Sequence, residues 1–161
     1  GIGVRDKVRI GASGKITSAF DIARTLALGA DWCNAARGFM FAVGCIQAQS
    51  CHTGECPTGV ATQDPLRQRA IVVPDKAERV ASFHRNTLHA LAELVAAAGL
   101  SHPSELKPHH FQRRASSDKV ISLAEQYEHL APGQLLADAG SSPRYGDAWS
   151  HASADSFARM A

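Results

Sequence analysis

The apolar positions of the first forty residues alternate between short blocks and one helical stripe. Val8-Arg9-Ile10-Gly11-Ala12 is a brief apolar run ending in small residues, the pattern of a strand buried in a parallel sheet. A tight loop, Ser13-Gly14-Lys15, follows. Thr17 or Ser18 is placed to cap a helix, with Asp21 in its first turn, where the helix dipole favours an anion. Ile22, Ala23, Leu26 and Ala27 form the apolar stripe of that helix, and Gly29 is placed to end it. Ala30 to Ala35 reads as a second short strand. Strand, loop, helix and strand make one βαβ unit, which implies a parallel sheet and an α/β class.

Residues 44–65 break this pattern. They hold three cysteines, three glycines and two prolines without clean periodicity, and predict an irregular loop that needs an external staple to be ordered. Periodicity returns at 74–98 with a single long helix. Asp75 and Glu78 have capping-box spacing at its start, Gly99 follows its end, and Val80, His84, Thr87, Leu88, Leu91, Leu94 and Val95 trace one face. That stripe reads as core. Residues 101–106 open a shorter helix or turn, and 118–130 predict another short helix. From about 137 the chain is Ala, Ser, Gly and Asp with little apolar pattern, and a loosely ordered tail is expected. There is no internal repeat.

Composition narrows the class without naming a function. Of 161 residues, 45% are hydrophobic and 20% charged, which excludes disordered and fibrous chains. The formal net charge of +2 argues against nucleic acid as a partner, and no apolar stretch reaches the ~18 residues of a membrane span. No signal-peptide pattern opens the chain, so a cytoplasmic location is expected. The first residue is not Met, and a start inside a longer reading frame is expected. In that setting Cys33, Cys45, Cys51 and Cys56 suggest a metal or redox site more than a disulfide framework.

Two constellations carry chemistry. The first runs from Gly44 to Pro65, with the spacing C-x5-C-x4-C and a proline after the third cysteine. Soft thiolates suit iron and sulfide, a three-iron cluster needs three of them, and a Cys-Pro step occurs in ferredoxin motifs. Spacing alone leaves other readings open: zinc with Cys33 as a fourth ligand, a cysteine nucleophile with His52 as its base, or unliganded buried thiols. The second is a paired phosphate cradle. Ser13-Gly14-Lys15 lies between a strand and a helix, and Ala36-Arg37-Gly38 follows the next strand. Backbone amides and an arginine there suit a phosphate, though an ordinary βα loop has the same look. His84 and His89 read as packing or surface residues, and His109-His110 as structural.

The stretch Gly44 to Pro65, ending Cys-Pro-Thr-Gly-Val-Ala-Thr-Gln-Asp-Pro, resembles the iron–sulfur loop of glutamate synthases. More narrowly, it looks like the FMN-binding family of stand-alone synthase domains, over roughly residues 1–110. The resemblance implies the C-terminal portion of a (β/α)8 TIM-type barrel, which in full needs ~250 residues. It divides the chain into the last βα units at 1–43, an iron–sulfur loop at 44–73, a helical extension at 74–136 and the tail at 137–161. It implies FMN and a 3Fe-4S cluster as cofactors. Cys45, Cys51 and Cys56 fall at the cluster ligands, Ser13, Gly14 and Lys15 in the loop after strand seven, and Ala36 and Arg37 after strand eight at the FMN phosphate. Cys33 matches no ligand position.

Lys15 stands where the larger synthases tend to have Gly, and Ala36-Arg37 where they tend to have Gly-Thr. The implied chemistry is reductive amination of 2-oxoglutarate with ammonia from glutamine, with an electron-donor protein or reductase subunit as partner and catalytic residues upstream of residue 1. The piece alone is expected to be inactive. The competing expectations are a related FMN/iron–sulfur glutamate-modifying oxidoreductase and a non-catalytic metal-binding module.

Overall fold

The computed structural model describes residues 1–158. The chain divides into two compact units, Gly11–Lys107 and, separately, Gly1–Ile10 with the residues from Pro108 onward.

In the first of these, strand β1 (Gly11–Ser13) pairs in parallel with β2 (Trp32–Asn34), in the register Gly11 to Trp32, Ala12 to Cys33 and Ser13 to Asn34. Helix α1 (Ala19–Ala27) connects them, so the expected βαβ unit is present. Ser18 caps α1: its hydroxyl accepts from the Asp21 amide, and the Asp21 carboxylate accepts from the Thr17 and Ser18 amides. Ala19, Ala23 and Ala27 are buried along one stripe, and these small side chains let the helix sit close on its neighbours. Helix α2 (Ala36–Val43) leaves β2 almost at once. A four-residue helix, α3 (Pro65–Gln68), ends the cysteine-rich stretch.

The long helix α4 (Val73–Ala97) packs on α1 and α2. Phe83 of α4 meets Phe39 of α2 edge-on, with ring centroids 5.3 Å apart. A Cβ at Gly38 would lie 2.9 Å from the Phe83 ring, so only glycine lets the two helices approach this far. Leu91 and Val95 of the expected stripe are buried, whereas Leu88 and His84 stay exposed. The start of α4 differs from expectation. Its N-cap is Val72, with no side-chain cap, and Asp75 lies in the first turn. Pro74 needs no amide partner, so the helix extends back past it to Val73. Gly99, at φ 74°, ends α4 with its amide on the Ala96 carbonyl and that of Leu100 on Val95.

In the second unit, β3 (Gln112–Arg114) pairs antiparallel with β4 (Val120–Ser122), and α5 (Leu123–Gln126) follows directly. The helix expected over 118–130 is thus half strand. Ser116 and Asp118 bond each other across the turn, which closes the hairpin, and Ser122 caps only one helical turn. Phe111, Leu123 and Leu135 are buried apolar residues of this unit. Leu135, in α6 (Gln134–Ala137), donates its amide to the carbonyl of Gly1. Beyond 137 the chain forms a 3-10 turn at Ala139–Ser141 and the short helix α7 (Gly146–Ser150). Residues 159–161 of the expected tail lie outside the described residues. Among the described residues no helix is long and apolar enough to cross a membrane.

Candidate functional site

The two helix starts beside the β1–β2 pair are chemically different. At α1 the first amides are already satisfied by Ser18 and Asp21. Burial works to raise the Asp21 pKa, but hydrogen bonds from Ser18 and Thr17 outweigh it and hold the carboxyl below its ordinary value. That helix start carries its own anion. At α2 the N-cap is Ala35, whose side chain accepts nothing, so the first amides keep no side-chain partner. Of the two, the start of α2 is the one whose amides are left open by side chains.

A cavity of 560 Å³ opens there. Ser13, Gly14 and Lys15 line one part of its wall, and Ala36 and Arg37 another. All five residues expected at the phosphate are thus brought to one place. Asn34, Met40 and Phe41 add a polar edge and an apolar floor, and Cys45 and Cys51 join the lining from the cysteine loop. The sequence pattern gave no reason to single out Gln47 and Gln49, yet both also line it. Only the backbone conformation marks them. Among the described residues Lys15, Gln47 and Gln49 are the non-glycine residues with positive φ, at 56°, 57° and 58°.

The cysteine loop leaves α2 through amides of Gly44 and Cys45 that both reach the Met40 carbonyl. Its first half is open: Ile46 is exposed, and Cys45 Sγ accepts the amide of Gln47 at 3.5 Å. Its second half is cross-linked by its own side chains, so it is not wholly dependent on an external staple. Thr62 donates to the Gly54 carbonyl, Arg67 to Glu55 and Gln68 to Thr62. Asp64 caps α3 by accepting the Leu66 amide. Gly59, at φ 77°, packs so closely that a Cβ would fall on the Arg67 carbonyl oxygen.

Cys56 lies in this ordered half and is buried. The Thr58 hydroxyl, 3.4 Å from its sulfur, and the amides of Ala61, Thr58 and Val60 bring its pKa down to about 7 against the pull of burial. Neither Thr58 nor these amides could be read from cysteine spacing; a hydroxyl directly after the Cys-Pro step is the only signal.

The three expected ligand sulfurs are not gathered. Cys45 and Cys51 line the cavity and Cys56 does not, and among the described residues no three of His, Cys, Asp and Glu form a ready ligand group. In donor chemistry, however, the loop fits a thiolate-bound metal group. Two of the three sulfurs accept hydrogen bonds from backbone amides, and one is poised as a thiolate near neutral pH. The cavity wall fits a phosphate equally well, with two cations, an uncapped helix start and no carboxylate among its lining residues. Cys33 stands apart: it lies on β2, burial pushes its thiol up, and it lines a different cavity of 260 Å³ with Phe39, Phe83 and His84. His52 is exposed on the loop.

The model of the conserved region in glutamate synthase matches residues 1–101. The glutamate synthase large subunit-like protein YerD of Bacillus subtilis (strain 168) is 44% identical over 121 residues, 75% of this chain and 23% of that protein. The archaeal glutamate synthase (NADPH) of Methanocaldococcus jannaschii is 35% identical over 105 residues, 65% of this chain and 21% of that protein. The glutamate synthase (NADPH) large chain of Bacillus subtilis is 30% identical over 136 residues, 78% of this chain and 9% of its own length. The chain thus spans less than a quarter of the relatives it matches. The chain belongs to the glutamate synthase family.

Proposed function

We propose that this chain is the part of a glutamate-synthase-type oxidoreductase that holds the phosphate of FMN and supplies the thiolates of a 3Fe-4S cluster. The single observation that carries this reading is the shared cavity, in which phosphate-binding loops and two of the three motif cysteines meet. The two-stranded parallel β1–β2 pair, too small to stand as a sheet of its own, suits the closing strands of a larger (β/α)8 barrel.

Each residue has a task that its own chemistry supports. The amides of Ser13 to Lys15 and the open start of α2 bind phosphate oxygens, and Arg37 adds a bidentate cation. Cys45, Cys51 and Cys56 bind iron, with Cys56 already favoured as thiolate by Thr58 and the amides around it. When bound, the flavin supplies hydride chemistry and the cluster supplies single electrons. Reductive amination of 2-oxoglutarate with nitrogen from glutamine, and an electron-donor subunit, belong to the whole protein.

Iron and acid-labile sulfide in the anaerobically purified intact protein test the reading. Cys51→Ser is expected to abolish cluster assembly. Unchanged iron content and retained brown colour in that variant would remove Cys51 from the ligand set.

A further inference from the structure

Three L-residues carry the disfavoured left-handed backbone among the described residues, and all three line one cavity: Lys15, Gln47 and Gln49. Such positions persist where the surroundings demand a particular side chain or amide direction. Glycine would take these φ values freely, and the same loop uses it at 44, 54 and 59. The polar lining of the cavity is sorted by charge. Its cations are Lys15, in the loop after β1, and Arg37, in the first turn of α2, whereas the cysteine loop contributes the neutral carboxamides of Gln47 and Gln49. A carboxamide both donates and accepts, which matches hydroxyl groups that do the same.

We propose that Gln47 and Gln49 bind the uncharged, hydroxylated part of the ligand whose phosphate lies at Ser13–Lys15 and Arg37; in FMN that part is the ribityl chain. This rests on the phosphate placement proposed above and adds a second contact region to it. The cysteine loop then has two duties, holding iron through sulfur and flavin through the residues between its first two cysteines.

The test uses the intact protein with FMN and riboflavin, which lacks the phosphate. The variants are a Gln47→Gly/Gln49→Gly double substitution, which keeps the backbone conformation without strain, the corresponding double Asn substitution, and Arg37→Ala. The double Gly variant is expected to bind both flavins about tenfold more weakly, leaving their ratio unchanged, since each lost hydrogen bond is a modest contribution. The Asn variant, which tolerates positive φ, is expected to recover part of that loss. Arg37→Ala is expected to weaken FMN alone. Unchanged affinities in the double Gly variant, with Arg37→Ala behaving as expected, overturn the glutamine assignment only. An FMN-to-riboflavin ratio that Arg37→Ala leaves at the wild-type value overturns the phosphate placement, and this proposal with it. Thermal midpoints of the double Gly variant at or above wild type establish that the loss is not misfolding.

Discussion

Replacing Lys15 by glycine is expected to move stability and ligand affinity in opposite directions. Lys15 holds φ 56° beside Gly14 at φ 114°, and its side chain is exposed at the cavity wall. A left-handed L-residue costs ~1–2 kcal/mol in the folded state. Glycine removes that cost but gains freedom in the unfolded chain, which takes back ~0.4–1 kcal/mol. The exposed lysine has little packing to lose. Net stability should therefore stay level or rise by about 1 kcal/mol, read as a urea midpoint without ligand. Affinity should fall. A cation on phosphate in an open, solvated cavity contributes ~1 kcal/mol, so FMN titration by fluorescence should show a loss of about fivefold. The loss should shrink at high salt. A variant destabilised by well over 1 kcal/mol would refute the strain reasoning. Tighter FMN binding would show instead that the lysine side chain obstructs the close backbone approach glycine permits, and the charge assignment would be wrong.

Thr58→Val should raise the Cys56 pKa from about 7 toward its ordinary value of 9, and alkylation of that thiol at neutral pH in metal-free protein should slow relative to wild type. The same depression gives stability a sign: between pH 7 and 9 the unfolded thiol holds a proton that the folded one has released, so wild type should gain on the Val variant as pH rises through this window. Gly38→Ala places a methyl 2.9 Å from the Phe83 ring and should cost ~1–3 kcal/mol, measured by denaturant unfolding; no loss would mean that α2 and α4 part without penalty. Ser18→Ala should cost ~1 kcal/mol by removing the α1 cap, visible as a lowered thermal midpoint.

Local chemistry was legible in the sequence where one residue decides one feature. Ser18 caps α1, and Gly29 and Gly99 end their helices, because each depends on neighbours within a few residues; the buried strand expected over 8–12 forms only at Gly11–Ser13 and leaves Val8 and Ile10 exposed. Two kinds of feature were not legible. One depends on partners far along the chain: Gly1–Ile10 joins the residues from Pro108 onward because the Leu135 amide finds the Gly1 carbonyl, and no periodicity records that. The other depends on backbone angles. Gln47 and Gln49 look like ordinary loop polar residues, and only their positive φ and their place on the cavity wall distinguish them. The start of α4 shows a milder failure: Asp75 and Glu78 had the right spacing for a cap, but proline tolerance in the first turn let the helix begin earlier.

The proposed site divides its electrostatic work in a way that follows from counting its charges. Lys15 and Arg37 are the cations on the cavity wall, and on the proposed reading a phosphate monoester uses both. On that reading no full positive charge remains at the wall for Cys45 and Cys51, and Cys56 lies off the wall, so dipoles are left to stabilise sulfur. Cys45 takes the Gln47 amide, and Cys56 takes the Thr58 hydroxyl with three backbone amides. Dipoles fixed by the fold are screened far less by salt than exposed side-chain charges are. Rising ionic strength should therefore release the flavin phosphate before it disturbs the sulfur sites. The backbone turns at 47 and at 56–61 are on this reading as much a part of the site as the three cysteines themselves.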